Sequence, residues 1–442
     1  GDAEAMGRRN RAFDRRLTRN VSWNLIGTVL PMLVAVVAIP PLIRELGAAR
    51  FGVLTLAWMV VGYFSLFDLG LGRAMTQLVA EKLGRDERPA IPALVWTAMT
   101  LMTVLGLLGA CVIALASPWL VGHVMKIPTP LRAETLSAFY ILAVSIPIVI
   151  GTTGLRGILE AHQQFGLVNA VRIPLGVVNY LGPLLVLPFY DSLPAMVLTL
   201  VLSRLLSWLA YLAICLHSHP DLRQKRSVDR GEMRDLLAYG GWMTLSNVAA
   251  PLLLYLGRLL IAVYVSAEAV AYFSTPYDVV INLLVIPSVF VGVLFPAFAQ
   301  MFQGDSNGVR PLYRRSMLQI GAAMLPLVVI TCLIARPGLQ WWINEEFARE
   351  GFRVAQLLAI GMFINSFGHL SQALVQSYGR PDITAKLHVA ELVAYVPYLS
   401  WLINVWGIEG AAAAWVVRVV ISTTVLAMLA NRCLAGSIER RY

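Results

Sequence analysis

Long apolar runs, separated by short polar or Pro/Gly-containing breaks, dominate the chain. A helix needs about 20 apolar residues to cross about 30 Å of hydrocarbon. By that rule the runs predict twelve spans: 21–43, 51–80, 91–117, 134–158, 168–188, 194–217, 237–264, 269–301, 315–335, 352–377, 386–405 and 409–433. Spans longer than 25 residues are accommodated by tilting or by extending past the bilayer. The largest internal polar interruption, His217 to Arg234, holds Pro220 and Arg223-Gln224-Lys225-Arg226. It divides the chain into a basic N-terminus (1–20), a first lobe of six spans (21–217), a linker (218–236), a second lobe of six spans (237–433) and a short C-terminus (434–442). The lobes resemble each other: Ser22-Trp23 and Gly241-Trp242 open them, and ELGAARFGVL (45–54) has the size pattern of SAEAVAYFST (266–275), at an offset near 219. The expected fold is an all-α integral membrane protein. Its two six-helix lobes would be related by a pseudo-twofold along the membrane normal, an architecture known for transporters.

Composition agrees. The chain is 58% hydrophobic and only 14% charged, against about 25% in soluble domains. That excludes a soluble enzyme, a disordered chain and a nucleic-acid-binding domain. The net charge of +10 is distributed as a topological signal: of 35 Lys and Arg, 24 fall in the termini and turns on one side, 7 on the other and four within spans. The positive-inside rule then places both termini in the cytoplasm. The Arg-rich start leads into a full-length span without a small-residue cleavage site, so no signal peptide is expected. Cys111, Cys215, Cys332 and Cys433 lie in apolar runs and read as small core residues. There is no P-loop and no HExxH, and the six histidines do not cluster at ligand spacing. No metal or cofactor is expected. His217 and His219 read as solvated residues of a basic loop.

The informative positions are ionisable groups inside spans, which usually face a bundle interior or a wet cavity because a charge in hydrocarbon costs about 2.5–3.5 kcal/mol on insertion scales. They are Arg73, Arg204, Arg258 and Arg418, against Asp68, Asp278 and Glu391. A cavity lined this way favours an anionic guest, and the planar guanidinium fork suits phosphate. Each position has an alternative. Arg73 pairs with Asp68 at one helix end. Arg418 pairs with Glu391. Arg204 braces neighbouring spans. Asp278 partners Arg258 or binds a proton or sodium ion. Arg258 ranks first as a substrate ligand, because the seventh span opens the second lobe; Arg204 and Arg418 follow. Asn24, Asn247 and Tyr277 are polar candidates for the same cavity, although amides and hydroxyls also hold membrane helices together.

Four stretches carry a resemblance: ELGAARFGVLTLAW (45–58) running into FDLGLGRAMTQLVAE (67–81); SAEAVAYFSTPYD (266–278) with LFPAFAQ (294–300); QALVQSYGRPDITAKLHVAELVAYVPYL (372–399); and WGIEGAAAAWVVR (406–418). In this order and spacing the chain resembles the polysaccharide flippases of the multidrug/oligosaccharidyl-lipid/polysaccharide (MOP) exporter superfamily. The resemblance implies alternating access without ATP in a bacterial inner membrane. It implies no enzymatic activity and a polyprenyl pyrophosphate carrying an oligosaccharide repeat unit as substrate, for O-antigen, capsule or exopolysaccharide synthesis. It further implies contact with membrane lipids and polysaccharide-assembly machinery, no nucleic acid, and function as a monomer. Lipid II flippases of the superfamily look like fourteen-helix proteins, which weighs against that cargo. The rival reading is a multidrug antiporter for organic cations, whose cavity should be acidic or aromatic. Membrane potential favours outward movement of an anion by about 2.3 kcal/mol per charge per 100 mV, so a doubly charged pyrophosphate would gain roughly 4–5 kcal/mol from the full field.

Overall fold

A computed structural model describes residues 2–66, 71–84, 86–162, 164–224, 229, 231–234, 236, 253, 255–303 and 308–436, with side chains from residue 30 onward except at 65, 66, 73, 80, 84, 224, 293, 296, 299, 300, 303 and 381. Among the described residues the chain is helical, with no strand. The main helices are α1 (Asp2–Leu66), α2 (Leu71–Gly84), α3 (Ile91–Trp119), α4 (Arg132–Ala161), α5 (Phe165–Val186), α6 (Leu193–Ser218), the short α7 (Asp221–Gln224), α8 (Tyr255–Tyr264), α9 (Ala267–Val280), α10 (Val285–Gln303), α11 (Val309–Trp342), α12 (Glu345–Ser377) and α13 (Pro381–Leu434). Nine stretches among the described residues are long and apolar enough to cross a membrane. The seventh expected span, 237–264, is described only at 253 and from 255 onward.

Two long helices are broken at a glycine. Gly47 in α1 has φ 74°, ψ 160°, and Gly407 in α13 has φ 57°, ψ −132°. Both are conformations that only a residue without Cβ adopts readily. The break in α13 folds the chain back on itself. Tyr398 Oη donates to Ala414 O at 3.3 Å, Arg418 reaches Glu391, and a Cβ on Gly410 would lie 2.0 Å from Leu402 O. The pairs 402/410, 398/414 and 391/418 straddle residue 406, as only an antiparallel hairpin allows. Gly410→Ala is therefore expected to prevent close approach of the two arms. Loss of monodisperse protein in fluorescence-detected size exclusion is the readout, and a wild-type profile would refute the packing.

Internal contacts divide the chain into two compact units, Gly1–Gly47, Ala57–His123 and Thr129–Val248 in one, and Ala48–Leu56, Val124–Pro128 and Ala249–Tyr442 in the other. Two short segments ahead of the expected linker thus belong with the second unit. Gly52 explains one, since its missing side chain admits Ala267 O, which would sit 1.7 Å from a Cβ. Lys126 N explains the other, donating to Ala262 O at 2.9 Å.

Both units use the same helix plan. In the first, α3 and α4 are antiparallel, since Gly106 abuts Pro147 and Met102 abuts Gly154. Helices α4 and α6 are parallel, through Glu134–Leu193, Gly151–Trp208 and Leu155–Cys215. Helices α5 and α6 are antiparallel, through Tyr211–Val168, Arg204–Asn179 and Gly182–Thr199. In the second unit α11 and α12 are antiparallel, through Tyr313–Ser371, Cys332–Gln356 and Leu339–Gly351. Helix α12 runs parallel to the second arm of α13, through Arg353–Glu409, Gly361–Trp415 and Gly368–Thr423.

Local chemistry starts these helices where they begin. Ser266 Oγ accepts from Ala269 N ahead of α9, and Asn344 Oδ1 accepts from Phe347 N ahead of α12, each followed by acidic residues in the first turn. Such caps satisfy amides that have no partner within the helix and favour the positive end of its dipole. Leu115, Phe189 and Trp341 are more than three-quarters exposed, which suits a protein whose outer surface meets hydrocarbon or its interface. Cys111 is exposed too, so it belongs to that outer face and not to the core; Cys215 and Cys433 are buried as expected. His162 and His219 do not stand apart as the sequence suggests: their rings are in contact, with centroids 3.9 Å apart and planes inclined by 35°. The parallel run of α4 and α6 brings their ends together.

Candidate functional site

Each unit holds a partly buried arginine on the last helix of its shared plan. In the first unit it is Arg204 on α6, in the second Arg418 on the second arm of α13. Each reaches across the antiparallel helix pair to one polar side chain. Arg204 Nη2 donates to Asn179 Oδ1 at 3.3 Å; Arg418 Nη1 donates to Glu391 Oε2 at 3.3 Å. The arginines are 214 positions apart and their partners 212, close to the repeat offset of the sequence. The two sites are therefore the same place in each repeat with different chemistry. One arginine faces a carboxylate, the other an amide.

In the second unit the charged groups form a connected cluster. Arg258 on α8 is buried and donates to Asp278 Oδ1 on α9, whose side chain is 40% exposed. Its guanidinium carbon lies 5.0 Å from the centroid of the Tyr277 ring. Tyr277 is buried, its hydroxyl has no hydrogen-bond partner, and it sits within the field of both Arg258 and Arg418. Tyr395 lies within the field of Arg418 and Tyr277, and the Arg418 guanidinium is 5.6 Å from its ring and 6.0 Å from that of Trp415. His388 Nδ1 approaches the same Glu391 oxygen at 3.4 Å. Aromatic faces attract cations through the ring quadrupole, so the tyrosines hold the two arginines in a dry setting. Formally this cluster is two neutral ion pairs.

The first unit differs. Arg204 has Asn179 as its hydrogen-bond partner and Tyr180 nearby, Tyr180 in turn lying 5.2 Å from Trp58, and its Nε is buried without a partner. Among the described residues no carboxylate stands within ion-pair distance of it. Buried polar groups are almost always hydrogen-bonded. Arg258 and Arg418 also have an Nε buried without a partner; what sets Arg204 apart is a neutral partner, which leaves its charge uncompensated.

The structure thus brings Arg258, Asp278 and Tyr277 together, and Arg418 with Glu391. It sets Arg204 apart, facing Asn179. Asp68 and Asn247 lie outside the described residues, as do the side chains of Asn24 and Arg73. Asn179, Tyr395 and His388 are neighbours that sequence reading did not single out. For Asn179 a signal existed, because it precedes Arg204 by 25 residues much as Glu391 precedes Arg418 by 27. Among the described residues no group of three or more His, Cys, Asp or Glu is placed to hold a metal ion.

Residues 17–302 match the family described as "Polysaccharide biosynthesis protein". The "Putative O-antigen transporter" of Shigella flexneri is 29% identical over 418 residues, covering 94% of this chain and 98% of that one. The "Uncharacterized membrane protein EpsK" of Bacillus subtilis is 20% identical over 353 residues, 75% of this chain and 66% of that protein. Among solved structures, an inward-facing multidrug resistance MATE family transporter of the MOP superfamily aligns with a TM-score of 0.76 at 14% identity, over 94% of this chain and 98% of the other. That likeness shows the fold: an all-helical MOP-type transporter architecture.

Proposed function

Because the chain belongs to the polysaccharide biosynthesis protein family, we propose that it is a flippase, not an enzyme, which moves an oligosaccharide repeat unit on polyprenyl pyrophosphate from the cytoplasmic to the outer leaflet by alternating access. The observation that carries this reading is Arg204, a partly buried cation in a membrane-spanning helix with a neutral partner. With Arg258 and Arg418 balanced by Asp278 and Glu391, it leaves the described spans with net positive charge. A pyrophosphate supplies the missing anion, and an organic cation would be repelled. The O-antigen role in the name of the Shigella flexneri relative agrees with such a cargo. The shared fold does not separate flippase from multidrug antiporter; the sign of the in-span charge favours the flippase. The same proposal places the chain in a bacterial inner membrane with both termini cytoplasmic. It works as a monomer alongside polysaccharide-assembly enzymes, with residues 21–217 and 237–433 as its two moving lobes.

Lipids that co-purify from the native host test this. Mass spectrometry is expected to find a polyprenyl-pyrophosphate glycan with the wild type, depleted in Arg204→Ala and less so in Arg258→Ala, whose charge is already matched. Recovery of bulk phospholipid alone, with tight binding of organic cations, would overturn the proposal in favour of the antiporter.

A further inference from the structure

The His162–His219 pair stands where α4 and α6 end together in the first unit. It lines a polar pocket of about 270 Å³ with Arg88, Asp221 and the apolar Ile158 and Leu222. Ile158 O engages His162 Nδ1 at 2.9 Å, while Nε2 of His219 is buried without a hydrogen-bond partner. Ile158 and Leu222 also line a second cavity of about 420 Å³. This one is an apolar groove over α3, α4 and α6, walled by Met99, Val104, Trp208 and Leu212. Val104 is half exposed, so the groove opens on the surface that meets hydrocarbon. Its polar end is fixed by Trp96 Nε1, which donates to Leu222 O at 2.9 Å and ties the chain after α6 to α3. An apolar channel that runs into a histidine- and arginine-lined pocket has the chemistry of one kind of guest, an amphiphile with an anionic head.

We propose that this is a binding site for a diacyl anionic phospholipid of the adjoining leaflet, with an acyl chain in the groove and its phosphodiester against His219, His162 and Arg88. The groove, at about 420 Å³, falls in the range of about 300–1,000 Å³ typical of ligand pockets. Charge complementarity selects the head. Arg88 and two imidazoles face one carboxylate, Asp221, while nearby Lys82 is engaged by Glu232 at 2.9 Å and Glu87 at 4.0 Å. Among the described residues Arg88 pairs with Asp86, and both side chains are more than 70% exposed, so the guanidinium has room to turn toward a phosphate. Burial and the adjacent His162 push the His219 imidazole below its ordinary range, opposed by Asp221. Without an anion the His219 imidazole favours its neutral form; a bound phosphate favours the protonated form, so lipid binding tightens as pH falls. The site does not depend on the transport reading, because it uses none of the groups around Arg204, Arg258 or Arg418.

Native mass spectrometry of the full chain, titrated with phosphatidylglycerol or phosphatidylcholine of the same acyl chains, tests the assignment. Phosphatidylglycerol is expected to be retained preferentially. Arg88→Gln and His219→Asn should each weaken it by about fivefold, as removal of one interfacial cation predicts, and leave phosphatidylcholine unchanged. Thr100→Trp, a substitution at an exposed groove position, should displace both lipids without touching the head pocket. Equal retention of the two lipids, or unchanged phosphatidylglycerol binding in the head-pocket variants, overturns the proposal. So does displacement of phosphatidylglycerol by inorganic phosphate alone, which would make the pocket a free-anion site, or by polyprenyl phosphate, which would assign it to the cargo lipid.

Discussion

Asn179→Asp is expected to reduce export of the lipid-linked glycan by about ten- to hundredfold while leaving the protein folded. The substitution is nearly isosteric and puts a carboxylate at the Arg204 guanidinium, where the amide oxygen now accepts at 3.3 Å. An arginine beside a carboxylate forms a neutral pair, as Arg418 does with Glu391, and the charge offered to a pyrophosphate is gone. Hydrogen bonds to charged groups are worth about 1.5–3 kcal/mol, and each 1.36 kcal/mol is a factor of ten in rate; the expected loss follows. Asn179→Gln and Asn179→Ala keep Arg204 cationic and should retain most activity. Surface polysaccharide in a flippase-deleted host complemented with each variant is the measurement. If Asn179→Asp exports as well as wild type, the Arg204 charge is not used on the cargo.

Much of this arrangement was legible in the chain, and what was hidden has a common cause. Apolar runs and breakers located the helices because the bilayer imposes a length on them. Gly47 and Gly407 fall where the expected spans part, since only glycine takes the backbone conformations found there. Helix ends were less legible: α11 begins at Val309 and ends at Trp342, well outside the expected 315–335, because Arg310, Arg314 and Arg315 are no obstacle to a helix once it leaves the hydrocarbon. The in-span arginines stood out by their cost in an apolar setting, and so did the charged partners Asp278 and Glu391; the neutral Asn179 did not. Asn179, Glu391 and Asp278 lie 20 to 27 residues from the arginines they meet, and the pairing depends on which helices are antiparallel neighbours. Ranking Arg258 first as a ligand rested on its span opening the second lobe; the fold pairs it with Asp278, its alternative from the sequence, and gives Arg204 an amide. The His162–His219 contact was illegible for the same reason, being made by the parallel course of α4 and α6.

Glu391→Ala is expected to be among the most destabilising single substitutions in the second unit, and far more so than Arg418→Leu. The Glu391 side chain is 5% exposed and that of Arg418 16%. Breaking a buried pair by removing one member costs about 3–5 kcal/mol, because the other charge stays behind without compensation. At a few degrees per kcal/mol, the melting temperature should fall by on the order of 10 °C. The two members are not equivalent, however. Without Glu391, Arg418 is left with the faces of Tyr395 and Trp415 and no anion. Without Arg418, Glu391 still has His388 Nδ1 at 3.4 Å from the same oxygen as a hydrogen-bond partner. Replacing both, as in Glu391→Leu with Arg418→Leu, should recover most of the stability, since well-packed apolar side chains often replace buried ion pairs without loss. Thermal unfolding of the three variants in one detergent separates the cases. Equal melting of Glu391→Ala and Arg418→Leu would show that His388 does not serve as a reserve partner, and a double variant less stable than either single would show that the pair itself holds the hairpin of α13 together.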